Sequence, residues 1–182
     1  MGNWTNNMKH FLIITNAFKD KNLKLTNEIK GYIEKKGGSC QCFTSTGDDA
    51  KHAAPEADAI AQETECVLVL GGDGTMIQAA IDLVHSKLPI LGINMGTVGF
   101  LTEVEPQNLE RALDLMLQDK YTIENRIMLR ESSVTPTGTS SGKACYALND
   151  VVLSKRGDCR LITIKVYIND ELADIYRADG LI

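Results

Sequence analysis

The sequence predicts an α/β protein: a parallel sheet flanked by helices over residues 8–120, then the start of a β-rich domain over 121–182. Three observations predict it. Apolar runs of strand length, such as Phe11 to Ile14 and Val67 to Leu70, alternate with stretches of helical spacing as far as Leu117. After Asp119 the helical pattern stops and β-branched and aromatic residues take over. Between the apolar run ending at Leu70 and a helix-like stretch from Met76 to Val84 stands Gly71-Gly72-Asp73-Gly74-Thr75, a strand-to-helix turn at which backbone comes close to a ligand.

The elements follow in order. Phe11 to Ile14 reads as a buried strand. Leu25, Ile29, Tyr32 and Ile33 repeat at helical spacing, and Gly37-Gly38 stops that helix. Ser39 to Phe43 is expected to be a strand, Thr44 to Pro55 a polar loop, and Glu56 to Gln62 at most a short helix. The strand at Val67, the helix from Met76, the strand at Ile90 and a helix from Gln107 to Leu117 complete the alternation. Strands are then expected at Tyr121 to Arg130, Cys145 to Leu153, Leu161 to Ile168 and Leu172 to Tyr176, with Asn169-Asp170 as a hairpin turn. Met1 to Asn7 is polar and precedes the first strand, so it reads as a tag remnant or an upstream start, with Met8 a natural beginning.

Charge narrows the partners. Lys and Arg number 19 against 24 Asp and Glu, which argues against a nucleic-acid or membrane-surface protein, since those carry a basic excess. The excess acid lies in residues 1–125, which hold 11 basic and 17 acidic residues, against 8 and 7 in residues 126–182. No segment reaches the roughly 20 apolar residues of a membrane span, and no secretory signal opens the chain. Cys40, Cys42, Cys66, Cys145 and Cys159 lack Cys-x-x-Cys pairing, so a reduced, cytoplasmic protein is expected, with Cys66 a small buried hydrophobe and Cys40 and Cys42 on one strand face. His10, His52 and His85 lie far apart and receive no catalytic role.

The turn carries the chemistry. A helix starting near Gly74 and Thr75 aims free N–H groups and a positive dipole end at whatever occupies the turn, which suits phosphate. A carboxylate at Asp73 then suits binding a divalent cation, taking a proton from a hydroxyl nucleophile, or both. The plain rival is a tight turn in which Asp73 caps a helix.

Four stretches carry a family likeness. Gly71 to Ala80, Pro89-Ile90-Leu91-Gly92-Ile93-Asn94-Met95-Gly96-Thr97-Val98-Gly99-Phe100-Leu101-Thr102, Ala147-Leu148-Asn149-Asp150-Val151-Val152-Leu153 and Tyr176-Arg177-Ala178-Asp179-Gly180-Leu181-Ile182 closely resemble, in order, motifs of the NAD kinases. The glycine turn alone is shared with diacylglycerol and sphingosine kinases. The resemblance implies a Rossmann-like parallel-sheet domain followed by the start of a β-sandwich. It implies transfer of the γ-phosphoryl group of ATP to the 2′-hydroxyl of the adenosine ribose of NAD, giving NADP, with Mg²⁺ or another divalent metal whose ligands stay unassigned. For a full-length chain it implies a homo-oligomer. A chain ending at Ile182 is expected to be a fragment of a longer protein. Thr135-Pro136-Thr137-Gly138-Thr139 looks like a further family motif, but it precedes Asn149-Asp150 where the family places it after Asp-Gly-Leu-Ile, so it reads as a chance turn sequence.

By the same resemblance Asp73 is the catalytic carboxylate, and Gly71, Gly72, Gly74 and Thr75 supply backbone to the phosphates. Asn149 and Asp150 hold the dinucleotide, Asp179 is a second nucleotide-holding carboxylate, Arg177 contacts phosphate and Phe100 stacks on a base. Each has a rival: a strand-entry turn at Asn149-Asp150, a solvated Arg177 or its pairing with Asp174, a plain turn at Asp179-Gly180, a core Phe100, and a solvated pair at Lys155-Arg156. The alternatives for the whole are a lipid or sugar kinase of the same glycine-turn superfamily, which needs an apolar or sugar-recognising cleft, and a catalytically incomplete nucleotide-binding fragment.

Overall fold

A strand with apolar side chains on both faces is stable only between two covering layers, and both faces of the run from Phe11 to Ile14 are sealed from water. The computed structural model describes residues 8–45, 53–96, 99–135, 137, 144–157 and 160–182. The chain divides into two compact units, Met1–Arg126 and Ile127–Ile182.

In the first unit β1 (His10–Asn16), β2 (Ser39–Ser45), β3 (Cys66–Gly71) and β4 (Ile90–Asn94) form one parallel sheet in the order β2-β1-β3-β4. Alternation along the strands divides the core in two. Phe11, Ile13, Leu68, Leu70 and Ile93 face α1 (Lys24–Lys35) and α3 (Leu109–Leu117), where Ile29, Ile33, Leu109, Leu113 and Met116 meet them. Leu12, Ile14, Val67 and Val69 face α2 (Asp73–Asp82), which contributes Ala79, with Leu83 just beyond its end. Full burial of each such large aliphatic side chain contributes about 1.5–3 kcal/mol.

Local chemistry sets the ends of α1. The Asp20 carboxylate accepts the N–H groups of Leu25 at 3.0 Å and Thr26 at 2.9 Å and the Thr26 hydroxyl at 2.7 Å, so it caps the helix from four residues upstream. Since the Thr26 hydroxyl spends its proton on Asp20, Thr15 is the donor of the 2.7 Å Thr15–Thr26 bond. At the other end Gly37, at φ 86°, donates to Glu34 O and Gly38 donates to Ile33 O, the paired bonds of a Schellman stop.

Several boundaries differ from the sequence reading. Helix α2 begins at Asp73 and ends at Asp82, three residues earlier at its start than the apolar periodicity indicates, because Met76 N–H already bonds Gly72 O. Strand β2 runs on to Ser45 because β1 offers partners that far. Only a 3-10 turn, Ala57–Ala59, forms within 56–62. The helix expected from Gln107 opens as a 3-10 turn, Pro106–Asn108, before α3. Met1 to Asn7, His52 and the rest of the polar loop over 46–52 lie outside the described residues.

The second unit is antiparallel. Its ladders pair β5 (Leu129–Glu131) with β6 (Cys145–Ala147), β7 (Leu153–Ser154) with β10 (Gly180–Leu181), and β8 (Ile162–Ile168) with β9 (Glu171–Ala178). Asn169 and Asp170 sit at φ 49° and 65°, the left-handed pair that a type I′ hairpin turn requires. Two expected strands are shorter. Residues 121–128 have no ladder partner among the described residues, so a strand forms only from Leu129. A bend at Leu148 and Asn149 splits the expected strand Cys145 to Leu153 into β6 and β7.

Candidate functional site

The strand order decides where a ligand fits. From β1 the chain leaves through α1 to β2, on one side, and from β3 through α2 to β4, on the other. Because α1 and α2 also cover opposite faces, the carboxyl ends of β1 and β3 border an open crevice, the topological switch point of such sheets. Residues 16–20, 71–75, 94–96 and 99–101 rim it from β1, β3 and β4.

Asp73 opens α2, and its carboxylate reaches across to the segment after β4. Oδ2 accepts the N–H of Phe100 at 2.8 Å and Oδ1 that of Leu101 at 3.1 Å. A Cβ on Gly99 would stand 2.5 Å from Asp73 Cγ, so only glycine lets the carboxylate lie there. No side chain caps the start of α2, which leaves its first N–H groups directed into the crevice.

The glycines divide by role. A Cβ on Gly71 would strike Thr75, 2.5 Å from its Cβ, so the turn closes only because Gly71 has no side chain. Gly74 has nothing within 4 Å of such a Cβ. None of Gly71, Gly72 and Gly74 has a positive φ, and Gly72 is extended at φ −124°. Gly71 and Gly72 are therefore glycines of close approach, to Thr75 and to the Lys19 ammonium, whereas Gly74 meets no such demand. Thr75 is half-buried beside Gly71, and Phe100 is 99% exposed, which removes the core reading of that ring. Thr97 and Val98 lie outside the described residues.

Two further residues stand on the rim, of which only Lys19 was not anticipated. Asn94, 4% exposed, turns its Oδ1 back to accept Gly96 N–H at 3.1 Å, while Met95 N–H bonds Gly71 O at 2.8 Å, tying the ends of β3 and β4 together. Lys19, after β1, brings its Nζ to 2.8 Å from where a Cβ on Gly72 would sit and 3.8 Å from that of Gly96. The only signal for Lys19 in the sequence is its place just past the first apolar strand of a βα unit.

Asn149, Asp150, Arg177 and Asp179 belong to the second unit. Asn149 and Asp150 are exposed in the bend between β6 and β7, and Arg177 is exposed on β9 opposite Thr163. No ion pair joins Arg177 to Asp174 among the described residues. Asp179 follows β9, and Lys155 holds it twice: Lys155 N–H bonds Asp179 O at 2.8 Å, and the Lys155 ammonium reaches the carboxylate at 2.5 Å. Lys155 is thus an ion-paired residue, where the sequence suggested a solvated one.

No cluster of three or more metal-ligating side chains occurs among the described residues. Burial, with Cys42 beside it, pushes the Cys40 thiol up to about 12, and burial does the same to Cys66, so both are inert as nucleophiles at neutral pH. Cys159 lies outside the described residues, and no helix among them is long and apolar enough to cross a membrane.

Known proteins resemble this chain in sequence and in fold. A family model described as the ATP-NAD kinase N-terminal domain matches residues 25–121. An NAD kinase of Agathobacter rectalis is 41% identical over 175 residues, covering 96% of this chain and 60% of that protein. An NAD kinase of Lachnospira eligens is 37% identical over 182 residues, again covering 96% and 60%. The chain spans about three fifths of the length of these curated relatives. Among solved structures, yeast NADH kinase complexed with NADH superposes with a TM-score of 0.75 at 17% identity, over 97% of this chain and 57% of that one, a likeness of fold.

Proposed function

Because the chain belongs to the ATP-NAD kinase family, we propose that it phosphorylates NAD, moving the γ-phosphoryl group of ATP to the 2′-hydroxyl of the adenosine ribose. The observation that carries this reading is the Asp73 carboxylate, held by Phe100 and Leu101 N–H groups at the uncapped start of α2 beside a glycine turn that admits phosphate. In the reaction the 2′-oxygen bonds to the γ-phosphorus, the bond from that phosphorus to the β-phosphate bridge breaks, ADP leaves, and Asp73 takes the hydroxyl proton.

Each Asp73 oxygen accepts one N–H and keeps a lone pair, which fits a hard cation whose other ligands come from substrate phosphates. Asp73 would hold Mg²⁺ or another divalent metal, which when bound neutralises phosphoryl charge. Gly71, Gly72, Gly74 and Thr75 line the phosphates with backbone. The exposed Phe100 ring is free to stack on a base. Asn149, Asp150 and Asp179 hold ribose and base, and Arg177 contacts phosphate. Five cysteines without Cys-x-x-Cys pairing support the cytoplasm as the compartment, and the family reading extends to a homo-oligomer of the full-length protein.

The purified chain is incubated with NAD and Mg-ATP, with lipid and sugar acceptors in parallel, and NADP is read enzymatically. NADP formation that falls by about 10²–10⁴-fold in Asp73→Asn supports the assignment. Phosphorylation of a lipid or sugar with none of NAD overturns it.

A further inference from the structure

Lys19 stands over this crevice and has no part in the proposed phosphoryl transfer so far assigned to Asp73 and the glycine turn. The turn that carries it is firmly made: Lys19 and Asp20 N–H groups both bond Asn16 O at 3.0 Å, Phe18 N–H bonds Asn16 Oδ1 at 3.0 Å, and Ala17 N–H bonds Ser45 O at 3.1 Å. The Asp20 carboxylate then pins the turn to the start of α1. From this platform the Lys19 ammonium crosses from β1 to the ends of β3 and β4, against Gly72 and Gly96. A larger residue at Gly72 would displace it.

The placement is unusual for a surface lysine. No carboxylate among the described residues pairs with Lys19, although residues 1–125 carry 17 acidic side chains against 11 basic ones. A cation left unpaired in acidic surroundings, over a backbone turn with free helix N–H groups, is matched by an anion supplied from outside. Three elements then converge on it from different strands: the ammonium from β1, the glycine turn and helix start from β3, and Gly96 from β4.

We infer that Lys19 is a phosphate-binding residue of the crevice, contacting the polyphosphate of the phosphoryl donor. The inference rests on the phosphotransfer reading of the same site, and it adds a point charge that the helix start and glycine backbone cannot supply. Lys19 works by charge, so Lys19→Arg retains the function and Lys19→Gln loses it.

Calorimetric titration of the purified chain with ATP and, separately, with inorganic tripolyphosphate tests it, for wild type, Lys19→Gln and Lys19→Arg. Lys19→Gln is expected to weaken both ligands by roughly tenfold or more, the size of one charge-assisted hydrogen bond, with an unchanged melting temperature because the side chain is exposed. The salt dependence of binding should flatten in the same variant. Equal affinity of wild type and Lys19→Gln for tripolyphosphate overturns the inference, as does a wild type that binds neither ligand. Loss of polyphosphate binding in Lys19→Gln, with a lipid or sugar phosphorylated and no NADP made by wild type, keeps Lys19 in place and refutes the NAD acceptor instead.

Discussion

The carboxylate of Asp73 and the backbone of Leu101 are joined by a 3.1 Å hydrogen bond between the start of α2 and the segment that follows β4, 28 residues away in sequence. Together with the bond from Phe100 at 2.8 Å it fixes both carboxylate oxygens, so the position of the proposed base depends on a loop from another strand.

Gly99 tests that dependence. Its missing Cβ is what allows the Asp73 carboxylate to lie against the loop, so Gly99→Ala should shift the carboxylate by the order of 1 Å and lower kcat for NADP formation by roughly 10²-fold. Steady-state kinetics beside a melting curve checks this. A variant with wild-type kcat would show that Asp73 needs no such anchoring.

Gly71 and Gly74 should part company although they stand three residues apart. An added methyl at Gly71 strikes Thr75, and Gly71→Ala is expected to destabilise by about 1–3 kcal/mol. At Gly74 the methyl meets nothing within 4 Å, and within α2 the change should stabilise by about 0.5–1 kcal/mol. Urea unfolding of both variants decides it. If Gly74→Ala also weakens ATP binding while stabilising the fold, close approach of phosphate to that backbone is the reason.

Asp20 predicts an acid limb. Burial works to raise its carboxyl, but hydrogen bonds from the Thr26 hydroxyl and from Thr26, Leu25 and Lys24 N–H groups hold it below its ordinary 3.8. A depressed folded value means the unfolded chain takes up the proton first, so this contribution is whole above the ordinary value and is lost as pH falls below it. Asp20→Ala should therefore cost about 1–2 kcal/mol near neutrality, and the gap between the two stability curves should narrow below pH 3.8. Parallel curves down to pH 2 would contradict the role.

Lys155 is half-buried and Asp179 exposed, with side chains 24% and 70% accessible, so solvent screens the pair and Lys155→Met should change stability by no more than about 1 kcal/mol. Asp179→Asn should raise the KM for NAD more than it lowers the melting temperature. A pure stability loss with unchanged KM would assign Asp179 to the turn alone.

Much of the first unit was legible because its signals are local. Strands β1 and β3 declare themselves by unbroken apolar runs, and α1 by its spacing and its glycine stop. The start of α2 was legible to within a residue from the glycine turn, near Gly74, although its apolar face, which begins only at Met76, does not mark it. The second unit was less readable because β-branched composition marks what can be a strand, whereas a strand exists only where a partner lies alongside. Residues 121–128 have the composition and lack the partner.

The candidate site divides in the same way. The turn Gly71 to Thr75 and the identity of Asp73 are written in contiguous residues, as are the apolar patterns that call for a parallel sheet. The anchoring of Asp73 by Phe100 and Leu101, the glycine demanded at position 99 and the arrival of Lys19 over Gly72 are set by the strand order β2-β1-β3-β4, which brings three separated loops to one crevice. Periodicity reports which side chains leave water, and it carries no record of which strand ends become neighbours once the layers pack.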